Sequence, residues 1–367
     1  MKIGIMTFPN TTSYGAVLQM YGLYRAVERF GAKAEIVNYQ NSFMKEKRHT
    51  SAGQKRSGMA GKLRLQAANL LHTRQAVGFR NFEKKMRRYP AKPLNDAAGL
   101  PGLAGRYDGV ICGSDQVWNP HITDTDLSYF LNFCGKDTKR IAYAPSFGIS
   151  DFPESFVQKI TPELRQFAHL SVREPDGAQL AGSLTDRNVP TVLDPTFLIP
   201  CQEWEAVEKE HPLAKQQYVL YFPVRKSAAL LRFSRELAEK RNAKLIVAEG
   251  NFLRQLRNKD PNVQYALDLS PGEWLYLMHH ADCVVTNSFH GAAFAIHYQK
   301  DFYLELSSKT NSRLNQLMEV TGLEDRVVKE GSAPWDAHID YAQVEARIAP
   351  VRAASLDYLK QAVCEGA

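Results

Sequence analysis

The sequence predicts an α/β protein made of two doubly wound, parallel-sheet domains facing a cleft. Three observations point there. Short apolar runs alternate along the whole chain with longer segments of helical periodicity. The 367 residues are enough for two domains at roughly 100–200 residues each. A proline-rich stretch from Val189 to Pro200 falls near the middle and reads as the hinge.

The elements follow in order. Lys2–Thr7 is a short apolar strand, followed by the polar turn PNTTS. In YGAVLQMYGLYRAVERFG, Ala16, Leu18, Tyr21, Leu23, Tyr24 and Val27 recur at helical spacing, and Gly31 supplies the stop. Ala34–Tyr39 is the next strand. A basic segment follows and is expected to be a helical insert over 44–90. After it come YDGVICGS (strand into a glycine turn), KRIAYAPSFG (strand), FVQKITPELRQFA (helix), HLSVRE (strand) and GAQLAGSL (helix). Past the hinge the theme repeats. QYVLYFPV, KLIVAEG, NVQYALDL and CVVTNS read as strands; Ala228–Asn242, PGEWLYLMHHA and FHGAAFAIHY read as helices. The expected domains are therefore 1–195 and 196–367, with a last helix from about Tyr341 to Val363 free to pack back on either half. Strand–helix alternation of this kind implies parallel sheets with ligands bound beyond the carboxyl ends of the strands.

Composition excludes several classes. With 44% hydrophobic residues, 23% charged residues and a mean hydropathy of −0.35, the chain has the makeup of a folded, water-soluble protein. No apolar run approaches the ~20 residues of a membrane span. The start, MKIGIMTFP, is too short and too weakly charged for a secretory leader, so a cytoplasmic location is expected. Five widely spaced cysteines with no CxxC argue against a disulfide framework and a structural zinc site. The net charge of +7 (46 − 39) is concentrated between Lys45 and Arg88, where thirteen Lys/Arg face two acids, a local +11. That stretch is either a solvated face or a contact for an anionic membrane; few aromatics are interleaved, so nucleic acid is not expected.

Four constellations can carry chemistry, each just after a predicted strand. In TNSFHG, Thr286 to Gly291, a strand ends in small polar residues and opens into an apolar helix. Asn287 or Ser288 caps that helix, His290 stands in its first turn, and Gly291 permits close backbone approach, a pattern suited to phosphate. A plain capped helix with a satisfied His is the simpler account. In SVREPDG, Arg173 can grip a carboxylate or phosphate, or pair with Glu174 or Asp176. In YDGVICGSDQVWNP, Asp115, Gln116, Trp118 and Asn119 combine an aromatic face with polar groups, as sugar sites do; a turn with a core Trp is the alternative. Asp115 also qualifies as a general base. SYGAVLQ places Tyr14 at a helix start. Lys309 and Arg313 add cations beyond His290, although a solvated face explains them equally well. P-loop, GxGxxG, GxSxG and HExxH motifs are absent, which removes the usual kinases, dehydrogenases, elbow hydrolases and zincins.

The series SYGAVLQ, YDGVICGSDQVWNP, SVREPDG, VLDPTFL and TNSFHG, in this order, resembles the polysaccharide pyruvyl transferase family from about Gly4 to Arg326. The resemblance implies two Rossmann-like domains akin to glycosyltransferase B, with an acceptor-side amino-terminal and a donor-side carboxy-terminal half. It also implies transfer of pyruvate from phosphoenolpyruvate to a sugar of a cell-surface glycan or lipid-linked precursor as a cyclic ketal, with no cofactor and no metal demanded. The resemblance associates Arg173 and His290 with the donor. Together with the residue readings above, the candidate donor residues are Arg173, Ser288, His290, Gly291, Lys309 and Arg313, the candidate acceptor residues are Tyr14, Asp115, Gln116, Trp118 and Asn119, and His290 and Asp115 are the catalytic candidates. Some members carry Arg-Leu-His-Gly where this chain has Ser288-Phe289-His290-Gly291, so one donor-binding cation is missing there. A nucleotide-sugar-dependent glycosyltransferase on the same architecture is the alternative, and a glycan-binding protein without activity is a third reading.

Overall fold

The computed structural model describes residues 1–44, 73–103, 105–149, 151–249, 255, 258–306, 312–328 and 338–365. They form two compact units, one within Met1–Lys55, Glu83–Ile199 and Ala349–Ala367, the other within Arg56–Phe82 and Pro200–Ile348.

The first unit opens with strand β1 (Lys2–Met6) and helix α1 (Tyr14–Arg29). Ser13 caps α1, and Gly31, at φ 81°, turns the chain into β2 (Lys33–Tyr39). Within α1, Gly22 lies under Pro195, where a Cβ would come within 2.6 Å of the carbonyl oxygen, so only glycine lets the two backbones meet.

The expected insert over 44–90 is corrected in part. Residues 45–72 lie outside the described residues, and 73–83 is a helix, α2. Arg88–Leu94, by contrast, is a strand, β3, which pairs with β2 at the edge of the sheet. Its sequence, RYPAKPL, hides the strand behind two prolines, which an edge tolerates because one row of N–H groups has no ladder partner. The register shifts between Val37 and Tyr39, and the Asn38 side chain donates to the Pro90 and Ala91 carbonyls at 3.0 and 3.2 Å there.

The rest of the sheet is β4 (Gly109–Cys112), β5 (Lys139–Ala142) and the very short β6 (His169–Leu170). Helices α3 (Pro120–Thr123), α4 (Glu154–Leu164) and α5 (Pro175–Thr185) belong to the same unit. All strands are parallel, in the order β3-β2-β1-β4-β5-β6. β1 and β4 are buried almost throughout, as expected of parallel strands covered on both faces. An aromatic cluster of Trp118, Phe130, Phe147, Phe156 and Phe167 fills one side of the core.

The second unit begins at α6 (Cys201–Glu205) and continues through β7 (Tyr218–Phe222), α7 (Ala228–Lys240), β8 (Lys244–Val247) and β9 (Val263–Tyr265). Helix α8 (Pro271–His279), β10 (Cys283–Thr286), α9 (Phe289–His297), β11 (Asp301–Leu304) and α10 (Ser312–Thr321) follow. Its parallel sheet has the order β11-β10-β7-β8-β9. Helix α8 starts in a full capping box, with Ser270 and Glu273 each bonding the other's backbone N–H. The last helix, α11 (Tyr341–Cys364), contributes residues up to Ile348 to the second unit and from Ala349 onward to the first. In the first unit, Ser355 Oγ accepts from Leu193 N at 3.0 Å and Tyr358 donates to the Ala142 carbonyl at 3.2 Å.

In each sheet the order in which the chain adds strands reverses once, between β1 and β4 in the first unit and between β7 and β10 in the second. Loops leaving the carboxyl ends of such a strand pair diverge to opposite faces and open a crevice, where doubly wound folds bind ligands. No helix among the described residues is long and apolar enough to cross a membrane.

Candidate functional site

In the second unit the crevice is built by the segments after β7 and β10. Thr286, the last residue of β10, donates to the Phe222 carbonyl at 2.6 Å and accepts from Ser288 N at 3.0 Å, which locks the exit of the strand. Ser288 then caps α9 by accepting from Gly291 N at 3.2 Å. Gly291 has a packing role as well. A Cβ there would collide with the Thr286 side chain, so the glycine serves packing between strand and helix.

Asn287 reaches across the reversal point. Its Oδ1 accepts from Val224 N at 2.9 Å and Arg225 N at 3.2 Å, and its Nδ2 donates to the Arg225 carbonyl at 2.9 Å. The loop after β7 is thereby fixed, with Val224, Arg225 and Lys226 exposed on it. Ser227 closes that loop, capping α7 by accepting from Leu230 N at 3.1 Å and donating to Glu305 at 2.6 Å. His290 sits in the first turn of α9, 8% exposed. Two capped helix starts, an imidazole and a loop with two exposed cations thus lie beyond the carboxyl ends of β7 and β10. Together they suit a compact anion, because helix dipoles and cations both favour negative charge there. Sequence reasoning missed Arg225, Lys226 and Glu305. The signal for the two cations was their position directly after the apolar run QYVLYFPV; for Glu305 it was its place just beyond β11.

In the first unit the corresponding crevice is bridged by Gln19 of α1, fully buried. Gln19 Nε2 donates to Thr7 Oγ1 at 2.9 Å, and its Oε1 accepts from Ser114 N at 3.0 Å. Arg173 is buried beside it. Its guanidinium donates to Asp194 Oδ2 at 2.6 Å and lies 3.8 Å from Asp115 Oδ1. Asp194 Oδ1 accepts from Thr196 N and Oγ1 at 3.0 and 2.9 Å, capping the turn after it. The partner of Arg173 is therefore Asp194 from the VLDPTFL block, not the neighbouring Glu174 or Asp176. Glu174 instead accepts from Phe147 N at 2.8 Å and Gly148 N at 3.3 Å. Asp194 and Gln19 were also missed; each is a lone polar residue in an apolar run, a weak signal without coordinates.

One expected acceptor residue, Trp118, is corrected. Trp118 is fully buried, stacked on Phe130 at 4.9 Å and 7°, with its Nε1 donating to the Tyr129 carbonyl at 2.9 Å. Its ring is core and presents no face to a sugar. Asn119 is also buried; it caps α3 by accepting from His121 N at 2.9 Å and donates to Gln116 Oε1 at 2.9 Å. Asp115 and Gln116 stay partly exposed after β4, Asp115 in the left-handed region at φ 71°. Tyr14 is half-buried at the start of α1. Arg313 lies in the first turn of α10, and Lys309 falls outside the described residues. Burial pushes the Cys134 and Cys201 thiols up to about 12, so both are protonated at neutral pH and neither is a ready nucleophile.

The polysaccharide pyruvyl transferase family model matches residues 14–304, spanning both crevices. The chain belongs to the polysaccharide pyruvyl transferase family. Membership makes this protein a transferase and implies a polysaccharide or sugar acceptor. None of the curated proteins matches the chain in sequence. Among solved structures, the chain is similar to a putative UDP-N-acetylglucosamine 2-epimerase from Listeria monocytogenes, with a TM-score of 0.56 at 9% identity over 98% of this chain and 90% of that one. It is also similar to a UDP-GlcNAc 2-epimerase from Methanocaldococcus jannaschii (TM-score 0.45, 12% identity, 95% and 92% covered). An E. coli heptosyltransferase with ADP gives 0.42 at 11% identity, with 85% and 89% covered. The fold of this pyruvyl transferase family member is thus α/β with two Rossmann-like sheets of the glycosyltransferase B type.

Proposed function

We propose that this chain transfers pyruvate from phosphoenolpyruvate to a sugar of a cell-surface polysaccharide precursor, forming a cyclic ketal and releasing phosphate. Family membership over residues 14–304 is the observation that carries this reading. The chemistry of the second-unit crevice supports it. Phosphoenolpyruvate presents a phosphate and a carboxylate, which call for helix N-termini and cations. The starts of α7 and α9 with Arg225 and Lys226 supply these, and Lys309 and Arg313 remain candidates from sequence. Exposed Arg225 and Lys226 meet the need created by Ser288 standing where some members carry Arg. Arg173, ion-paired with Asp194, acts by holding the loops after β4 and β6 in place.

The reaction proceeds by protonation of the enol methylene carbon, which leaves an oxocarbenium-like centre. A sugar hydroxyl adds to that centre and loses its proton. The carbon–oxygen bond to phosphate breaks, and a second hydroxyl closes the ring and passes its proton to the departing phosphate, giving ketal plus inorganic phosphate. One group must give a proton and another must take one. His290 fills one of these roles or partners the phosphate, and Asp115 serves as base on the acceptor side with Tyr14 and Gln116. No cofactor or metal is required in this scheme. The protein works in the cytoplasm, with its basic stretch between Lys45 and Arg88 held at the anionic inner face of the membrane. Incubation with phosphoenolpyruvate and a panel of lipid-linked and model glycosides tests the proposal. It should release phosphate and add the mass of a pyruvyl ketal to one acceptor.

A second reading, a nucleotide-sugar glycosyltransferase, is favoured by one observation. Glu305 lies in the same crevice and is an acid of the kind that binds ribose hydroxyls. Consumption of a nucleotide sugar by a chain that leaves phosphoenolpyruvate untouched would select it.

A further inference from the structure

At the opposite end of the second-unit sheet, before β10 rather than after it, Glu208, His279 and His280 come together. Each offers one ligand atom, and these atoms lie within 4.8 Å of one another. Glu208 follows α6, and the segment past it is tied to the first turn of α8 by Lys209 N donating to the Gly272 carbonyl at 3.1 Å. His279 ends α8 and His280 is its C-cap. We propose that Glu208, His279 and His280 bind a divalent transition-metal ion of the zinc type.

Four features carry this. Glu208 Oε1 and His279 Nδ1 are already 3.0 Å apart, close to the roughly 3.3 Å between two corners of a tetrahedron with bonds of about 2.0–2.1 Å. His280 Nδ1 is 2.9 Å from the Tyr276 carbonyl. A carbonyl only accepts, so Nδ1 carries the proton and the lone pair is on Nε2, the arrangement that orients a metal-ligating histidine. The His279 ring is stacked on Tyr298 at 4.4 Å and 10°, which fixes its plane before any ion arrives. Finally, the site sits at the carboxyl end of α8, where the helix dipole favours a cation. Two imidazoles and one carboxylate select zinc, cobalt or nickel over magnesium and calcium, which prefer oxygen ligands. With three protein ligands, a water completes the shell. On binding, His279 ligates through Nδ1 and carries its proton on Nε2, while His280, held by the Tyr276 carbonyl, offers Nε2. The ion would tie the segment after α6 to the end of α8, independently of the pyruvyl transfer chemistry.

The test uses the full chain without an affinity tag, stripped with chelator and titrated with zinc chloride by calorimetry, and with cobalt chloride by visible absorption. One ion per chain is expected. E208Q and H280A should each weaken zinc at least 10-fold, and H279A/H280A should abolish binding at the site. His280 is exposed, so H280A keeps the fold, which circular dichroism verifies. Lack of zinc binding by the wild-type chain overturns the proposal, as does binding that survives H279A/H280A unchanged. Neither result bears on turnover with phosphoenolpyruvate.

Discussion

Replacing Asp194 with Ala isolates what holds the first-unit crevice together. Asp194 and Arg173 are 2% and 3% exposed and meet at 2.6 Å. Removing one member of a buried pair leaves the other charge uncompensated, at a cost of about 3–5 kcal/mol. Asp194→Ala also removes the two cap bonds to Thr196, while the nearest remaining carboxylate, Asp115, is 3.8 Å from the guanidinium. At about 2–4 °C per kcal/mol for a unit of this size, the melting point should fall by about 10 °C. The assay is thermal and urea unfolding of wild type, D194A, R173M and the double variant. R173M/D194A should be less damaged than the sum of the singles by about 2 kcal/mol, because the orphaned charge is gone. A loss below about 1 kcal/mol in D194A, or additive singles, would refute the reasoning that this pair organises the loops after β4 and β6.

Other expectations follow from the same geometry. His290→Ala should lower turnover on phosphoenolpyruvate by about 100-fold or more with an unchanged melting point; wild-type rates would dismiss its assigned role. Asn287→Ala strips partners from Val224 N, Arg225 N and the Arg225 carbonyl. It should cost about 1–3 kcal/mol of stability and raise KM for the donor, and steady-state kinetics with unfolding curves check both. Burial holds the His169 and His211 imidazoles below their ordinary 6.5, against the opposing pull of Glu365 on His169 and of Glu273 and Asp268 on His211. Folding therefore favours the neutral rings. Their stabilisation is complete above 6.5 and fades as pH falls through the depressed folded values, so urea midpoints should drop on acidification and H169N/H211N should flatten that slope. Acidic liposomes should co-sediment the chain at low salt and release it as salt rises; equal binding to neutral liposomes would remove the membrane proposal.

The sequence by itself determined the fold class, because alternating strand-like and helical runs are local signals. The strands Lys2–Met6, Tyr218–Phe222 and Cys283–Thr286 and the capped start of α9 could all be read from neighbours along the chain. It also determined the family, since the order of five short blocks is itself linear information. Only the tertiary structure decided which polar residues meet. Arg173 finds Asp194 twenty-one positions away rather than its neighbour Glu174, and Asn287 holds a loop more than sixty residues distant. The same holds for Trp118, whose ring is claimed by Phe130, Phe147 and Phe167, and for the edge strand hidden in RYPAKPL. The physical reason is common to all four. Side-chain pairing and burial depend on what the folded chain brings within a few ångströms, and proximity of that kind leaves no trace in local spacing.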